Sequence, residues 1–303
     1  MDLRDVKNAH FWQIDHKLKR IAEEDGVLVL PSPKAWAEFS WSRKFFGKKP
    51  KEGYFFWVKS QLSKPLTTCI AIASPGVSQD LDNLTVVESG VKVEVNMVCE
   101  ALTKSLGGSH SSRGKMVLKK SASMIYSHSH NWGDKDLVNL EYKFILERGA
   151  RLSYSYRNLL PPKDLRIKTE ILAEEESSVD SELTINAKKT KVSLKESLLL
   201  RGDNSQGTLK LRVVAGESSD IRAESSITAL AECKGHLDCQ GLLTDKKTTM
   251  SLVPKLICKD PRGQVTHEAS IGKISEEELN YLRTRGLKEE EAVDLIVSGF
   301  LKS

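Results

Sequence analysis

From Tyr54 to Gly263 the chain consists of short runs in which apolar and polar residues alternate, separated by turn residues, with no long helical period between them. Examples are Leu84-Thr85-Val86-Val87, Val91-Lys92-Val93-Glu94-Val95, Lys143-Phe144-Ile145-Leu146, Arg151-Leu152-Ser153-Tyr154-Ser155-Tyr156, Ser193-Leu194-Lys195 and Leu209-Lys210-Leu211-Arg212-Val213. Side chains alternate across a strand, so a two-residue period predicts half-buried β-strands. An acidic or small-residue corner recurs between them, in Glu88-Ser89-Gly90, Glu147-Arg148-Gly149, Glu174-Glu175-Glu176-Ser177 and Gly216-Glu217-Ser218-Ser219. Glu147 and Glu174 stand 27 positions apart and Glu174 and Gly216 stand 42 apart, the longer spacing reading as two turns of ~20 residues each. Imperfect repeats of this kind predict a β-solenoid, in which each coil buries its inward face by stacking on the last. A β-sandwich is the competing all-β reading, but it needs no recurring corner.

The flanks read differently. Phe11, Ile14, Leu18 and Ile21 recur at helical spacing and predict an amphipathic helix, broken at Gly26. Trp36, Phe39, Trp41, Phe45 and Phe46 are crowded ahead of Lys48-Lys49-Pro50-Lys51. A helical segment packing its aromatics onto the β-domain accounts for them better than a nucleic-acid or membrane patch. At the other end Ser275 and Glu278 form a capping-box pattern, and Gly286 marks a stop. A second helix from about Lys288 carries Ala292, Val293, Leu295, Ile296, Phe300 and Leu301 on one face. The expected organisation is an N-terminal helical or irregular segment over 1–53, a β-helix core over 54–266 and a C-terminal helical segment over 267–303.

Charge excludes some functions. The 46 Lys and Arg nearly balance the 41 Asp and Glu, leaving +5, which makes no electrostatic case for a nucleic-acid partner. Five scattered cysteines at 69, 99, 233, 239 and 258 do not make a disulfide framework and predict a reducing, cytoplasmic setting. No apolar run approaches the ~18 residues of a membrane span. Phosphate-binding, dinucleotide-binding and nucleophile-elbow motifs are all missing, so ATP hydrolysis is not expected of this chain.

Metal-ligating residue types concentrate in Glu232–Lys273, which holds three of the five cysteines, two of the seven histidines and Glu268. If the strands bearing Cys239 and His267-Glu268 lie side by side, thiolate, imidazole and carboxylate converge on one metal. Adjacent side chains on a strand point to opposite faces, however, so His267 and Glu268 serve one site only if a bulge intervenes. Cys233, His236 and Cys239 suggest zinc but lack a fourth ligand. His128 and His130 share a strand face, with Trp132 just beyond.

The run from Cys239 through Leu242-Leu243, the Pro-containing strand Leu252–Ile257, His267-Glu268-Ala269 and the tail Asp294-Leu295-Ile296-Val297-Ser298-Gly299-Phe300 resembles the SufB/SufD family of iron–sulfur cluster assembly scaffolds. Glu268 after His267, where the SufD branch carries Gly, makes it similar to the SufB branch. The resemblance implies a right-handed parallel β-helix and a scaffold that builds a transient iron–sulfur cluster at a subunit interface. Partners implied are a SufC-like ABC ATPase, a sulfur donor such as a cysteine desulfurase, and a second copy of the chain in a minimal homodimer. It assigns cluster assembly to Cys239, as a low-pKa thiolate, with Glu268 and His267. Cys99 matches the persulfide acceptor, although Glu100-Ala101-Leu102 replaces the usual Thr-Ala-Pro. His130 stands where the family has Gln on an internal sulfur path that includes Trp132, and Glu147 stands where it has Lys. The tail residues Ala292, Leu295, Ile296 and Phe300 match the ATPase-binding end. The rival reading is a β-helix carbohydrate-active enzyme, a lyase or esterase, which would need a row of charged catalytic residues along one solenoid face; a zinc-binding structural protein is the third.

Overall fold

The structure is a computed structural model that describes residues 9–22 and 24–302. Its N-terminal strands are β1 (Phe11–Ile14), β2 (Lys17–Ile21), β3 (Val27–Pro31) and β4 (Tyr54–Val58). The repeating part follows as β5 (Leu66–Ile72), β6 (Ser78–Val87), β7 (Lys92–Ala101), β8 (Ser109–Leu118), β9 (Ser123–Asn131), β10 (Leu137–Leu146) and β11 (Arg151–Leu160). It continues as β12 (Asp164–Ala173), β13 (Ser178–Lys188), β14 (Lys191–Leu200), β15 (Ser205–Gly216), β16 (Asp220–Ala229), β17 (Cys233–Leu243), β18 (Thr249–Cys258) and β19 (Gln264–Lys273). From β5 onward odd strands pair with odd ones and even strands with even ones, all in parallel; β3 closes one sheet antiparallel to β4 and β2 the other antiparallel to β1, giving sheets of ten and nine strands among the described residues. This is a parallel β-solenoid.

One coil is two strands and two corners. Ser178 lies beside Arg151, Gln206 beside Ser178 and Lys234 beside Gln206, so a coil takes 27 or 28 residues here rather than the expected ~20. The 27-residue spacing from Glu147 to Glu174 is therefore one full coil. The 42-residue spacing is one and a half, because Gly216 ends β15 and lies at the opposite corner. The recurring corner has a backbone cause. Gly90, Ser121, Gly149, Glu176 and Asn204 stack one above another with φ between 58° and 74°, and each donates its N–H to the next coil, as from Ser121 to the Arg148 carbonyl at 2.9 Å. Only a left-handed residue turns the chain this tightly, which favours Gly and short polar side chains.

Alternation fills the space between the sheets. Val192, Leu194, Leu198 and Leu200 of β14 are buried, whereas Lys191, Ser193 and Lys195 are exposed. Aromatics thicken the middle of the core: Tyr126 stacks on Tyr154 with centroids 5.5 Å apart, and Phe144 lies 4.9 Å from Tyr154. Each such fully buried ring contributes about 1.5–3 kcal/mol.

The two ends differ. The helix expected through Phe11–Ile21 is instead the antiparallel hairpin β1–β2, with β1 laid in parallel on β5. Asp15 makes the difference: it takes φ 52° in the two-residue loop, and its carboxylate accepts from the backbone N–H of Ala73 and Ser74. The helices of this region come later, as α1 (Ser32–Glu38), a 3₁₀ turn (Ser40–Ser42) and α2 (Arg43–Phe46). They lay Phe39, Trp41, Phe45 and Phe46 on Phe55, Trp57, Leu84 and Val117 of the even sheet. At the far end β18 and β19 are the outermost strands of their sheets. There Met250, Leu252, Leu256 and Val265 are only half buried and Ile271 is 45 % exposed. The chain then leaves as α3 (Glu276–Thr284), capped by reciprocal Ser275–Glu278 hydrogen bonds, and α4 (Glu289–Phe300).

Candidate functional site

Register decides which side chains meet. On β17 the inward positions are Cys233, Gly235, Leu237, Cys239 and Gly241, and Cys239 is 1 % exposed. Its neighbours are Leu211 on β15 and Ala269 on β19. Glu268 pairs with Asp238, one residue out of phase, and therefore lies on the outer face. Its carboxylate sits 3.5 Å from His236 Nε2, and His236 Nδ1 is 2.9 Å from Thr266 Oγ1. The expected convergence of Cys239 with Glu268 inside one chain is thus corrected: no bulge interrupts the β17–β19 pairing, and the pleat sends the two side chains to opposite faces. His267 pairs with Leu237 and shares the inward phase of Cys239, exposed at the open end of the coil stack. The same parity removes the zinc reading. His236 faces outward, and Cys233 and Cys239 stand six residues apart on one strand, ~20 Å.

Cys239 is not a low-pKa thiolate in this chain. Burial pushes it up to about 11, and Ser225 faces it from the opposite sheet. Behind Ser225 lies a residue that sequence reading missed. Thr169, Glu196 and Ser225 stack in register on β12, β14 and β16, and Thr169 Oγ1, Glu196 Oε2 and Ser225 Oγ are all buried without a hydrogen bond. Glu196 is fully buried, and its other oxygen accepts from Ser181 Oγ at 2.7 Å. Burial raises its carboxyl to about 7. The signal was present: Glu196 occupies the inward phase of Val192, Leu194, Leu198 and Leu200.

The second cluster lies about four strand spacings away along the same wall, ~19 Å. Cys99 pairs with His130, and Cys99, His128 and His130 offer ligand atoms that all lie within 4.8 Å of one another. Cys99 Sγ is 3.5 Å from His128 Nε2, His128 Nε2 is 2.7 Å from His130 Nε2, and Trp132 Nε1 donates to His130 Nδ1 at 2.9 Å. His110, also unremarked in the sequence, packs its ring 4.9 Å from that of Trp132 and holds Gln79 Oε1 at 2.9 Å. Burial dominates the electrostatics. It lowers His110 and His128 to about 3, takes His130 well below its usual range and raises the Cys99 thiol well above 9. Every member of the cluster is neutral at pH 7. Of the residues expected at the sulfur-accepting end, Cys99, His130 and Trp132 are brought together, with His128 between them. Glu147 is at an exposed corner, bonded to the Lys120 N–H.

The tail meets the chain itself. Ile296 and Phe300 pack with Val297 and Leu301 on Val214 and Leu242, on the outer face of the odd sheet. Ala292 is fully buried, and Leu295 is 54 % exposed. Among the described residues no helix is long and apolar enough to cross a membrane.

Residues 70–300, which include both clusters, match the family model described as the SufBD core domain of the SUF system for FeS cluster assembly. The chain is similar to an iron–sulfur cluster assembly SufBD family protein of Methanothermobacter thermautotrophicus, 27 % identical over 304 residues that span 99 % of this chain and 72 % of the relative. A SufBD family protein of Archaeoglobus fulgidus is 24 % identical over 296 residues, spanning 92 % and 80 %. One from Staphylococcus epidermidis is 25 % identical over 258 residues, spanning 82 % and 55 %.

Proposed function

This chain belongs to the SufBD family of iron–sulfur cluster assembly proteins, and from that premise we propose that it is a non-enzymatic scaffold on which a cluster is built for delivery elsewhere. The observation that carries this reading is the open end of the solenoid beside Cys239. The edges of β18 and β19 carry unused backbone hydrogen-bonding groups, and half-exposed core side chains stand between them. Unpaired edges of this kind invite another chain. Cys239 lies one strand inside that edge and His267 lies on it.

A cluster takes about four protein ligands, more than one interior supplies. A two-fold axis at the open end doubles Cys239 and His267, and brings Glu268 in from the outer rim of the same last strand. Iron and sulfide are the cargo of this site. The raised thiol of Cys239 stays protonated until iron arrives, and metal bonding then releases its proton. Sulfur enters at Cys99: a donor persulfide passes its terminal sulfur to the Cys99 sulfur, and the donor leaves as a thiol carrying the Cys99 proton. His130 and Trp132 line that end of the interior. An ABC-type ATPase docks on the C-terminal helices through Leu295, while Ala292, Ile296 and Phe300 hold the segment in place.

Ile271→Asp tests the interface, because the side chain stands 45 % exposed at the open end of the single chain and a charge there opposes its burial against a second chain. Light scattering is expected to give twice the mass of the chain for the wild type and a single chain for the variant. A wild type that stays monomeric with iron, sulfide and the ATPase present would contradict the reading.

A further inference from the structure

A buried cysteine beside two histidines is a ready trap for a transition-metal ion, since thiolate and imidazole are the ligands that zinc and its neighbours take. The 3.5 Å from Cys99 Sγ to His128 Nε2 matches the S···N edge of a tetrahedral zinc site, roughly 3.6 Å for bonds of ~2.3 and ~2.1 Å. The spacing suits a metal. The hydrogens do not.

An indole N–H can only donate. Trp132 Nε1 lies 2.9 Å from His130 Nδ1, so that nitrogen accepts, and the neutral His130 ring carries its hydrogen on Nε2. This N–H is aimed at His128 Nε2, 2.7 Å away, which must accept in turn and so leaves the His128 hydrogen on Nδ1. His128 Nδ1 is buried without a partner. The chain of donors therefore runs one way, from Trp132 to His130 to His128, and leaves a buried N–H unpaired, which costs on the order of 1–3 kcal/mol. For His130 Nε2 to bind a metal, its hydrogen would have to move to Nδ1, against the indole N–H. The two ring nitrogens would also have to part from 2.7 Å to ~3.3 Å.

We propose that Trp132 is a specificity-determining residue that bars metal ions from the Cys99 pocket: by fixing the tautomers of His130 and His128 it holds a hydrogen where a metal would sit, and Cys99 stays a free thiol. In a protein that handles iron, a Cys-His-His trap deep inside the coil would withdraw the cargo. The inference concerns what the pocket rejects, and it stands whether or not Cys99 accepts sulfur.

Anaerobic titration with Co(II) alone, followed by thiolate-to-cobalt charge-transfer absorption, tests it. Pairing each protein with its Cys99→Ser counterpart isolates the Cys99-dependent part from the other cysteines. Wild type and Cys99→Ser are expected to bind equally. Trp132→Phe is expected to gain one equivalent that vanishes in the Trp132→Phe, Cys99→Ser double variant, with an affinity at least roughly tenfold above any Cys99-dependent binding in the wild type. One Cys99-dependent equivalent in the wild type, or none in a folded Trp132→Phe protein, would overturn the proposal. Should Trp132→Phe fail to fold, ¹⁵N spectra of the wild-type imidazoles decide: hydrogens on His130 Nε2 and His128 Nδ1 support it, and the other tautomer on either ring overturns it.

Discussion

Glu196 should make this protein lose stability as pH rises from mildly acid to neutral, opposite to the usual effect of an ion-paired carboxylate. The carboxyl is buried with a serine hydroxyl as its hydrogen-bond donor, and burial raises it from 4.5 to about 7. A raised folded-state value means that the folded chain keeps the proton after the unfolded chain has released it. The stabilising contribution is then complete below about 4.5, declines through the window up to about 7, and is absent above. The shift corresponds to ~3 kcal/mol at 1.36 kcal/mol per unit. Spread over a chain of this length, that is roughly 5 °C in Tm. Glu196→Gln keeps the shape and the bond from Ser181 and removes the titration. Urea unfolding of both proteins at several pH values, taken as the difference between the two curves, cancels every other titrating group. The variant is expected to gain ~3 kcal/mol on the wild type between pH 4.5 and 7. A difference that stays flat across this window would refute the reasoning, and with it the placing of a lone carboxyl in the core.

Asp238→Ala should cost about 3–5 kcal/mol in urea unfolding, because it strands the buried Arg212 guanidinium, now paired at 2.5 Å. Ile296→Ala, which hollows the contact of α4 with Val214 and Leu242, should cost about 2–3 kcal/mol. Leu295→Asp should leave stability unchanged while abolishing co-purification with the ATPase; retained co-purification would remove α4 from the partner surface. Glu268→Ala should weaken reconstituted cluster, measured as bound iron, without altering persulfide formation at Cys99, measured by mass spectrometry.

Strand type and solenoid architecture were legible because alternation and the repeated corner are local signals. The length of the coil was not, since acidic corners occur on both sides of the solenoid and Glu174 and Gly216 belong to different ones. That one number carried the site. Cys99 pairs with His130, 31 residues on and one coil at that point of the stack, so a correct coil length would have brought Cys99 beside the His128–His130 strand. Similarly, the pairing of β17 with β19 follows from the length of the corner between β18 and β19, and an offset of one residue decides whether Glu268 faces Cys239 or solvent. Phe11–Ile21 misled because its apolar spacing suits a helix and the Asp15 turn acts only through contacts with residues 73 and 74. The resemblance of the tail and of the Cys239 region supplied what spacing alone did not.

Anaerobic reconstitution with iron and sulfide, read by native mass spectrometry together with visible absorbance, tests the central claim most directly. The account predicts one cluster held by two chains in the wild type and none in Cys239→Ser, since a hydroxyl does not replace thiolate bonding to iron. A full cluster on Cys239→Ser, or a cluster carried by a single chain, would contradict it.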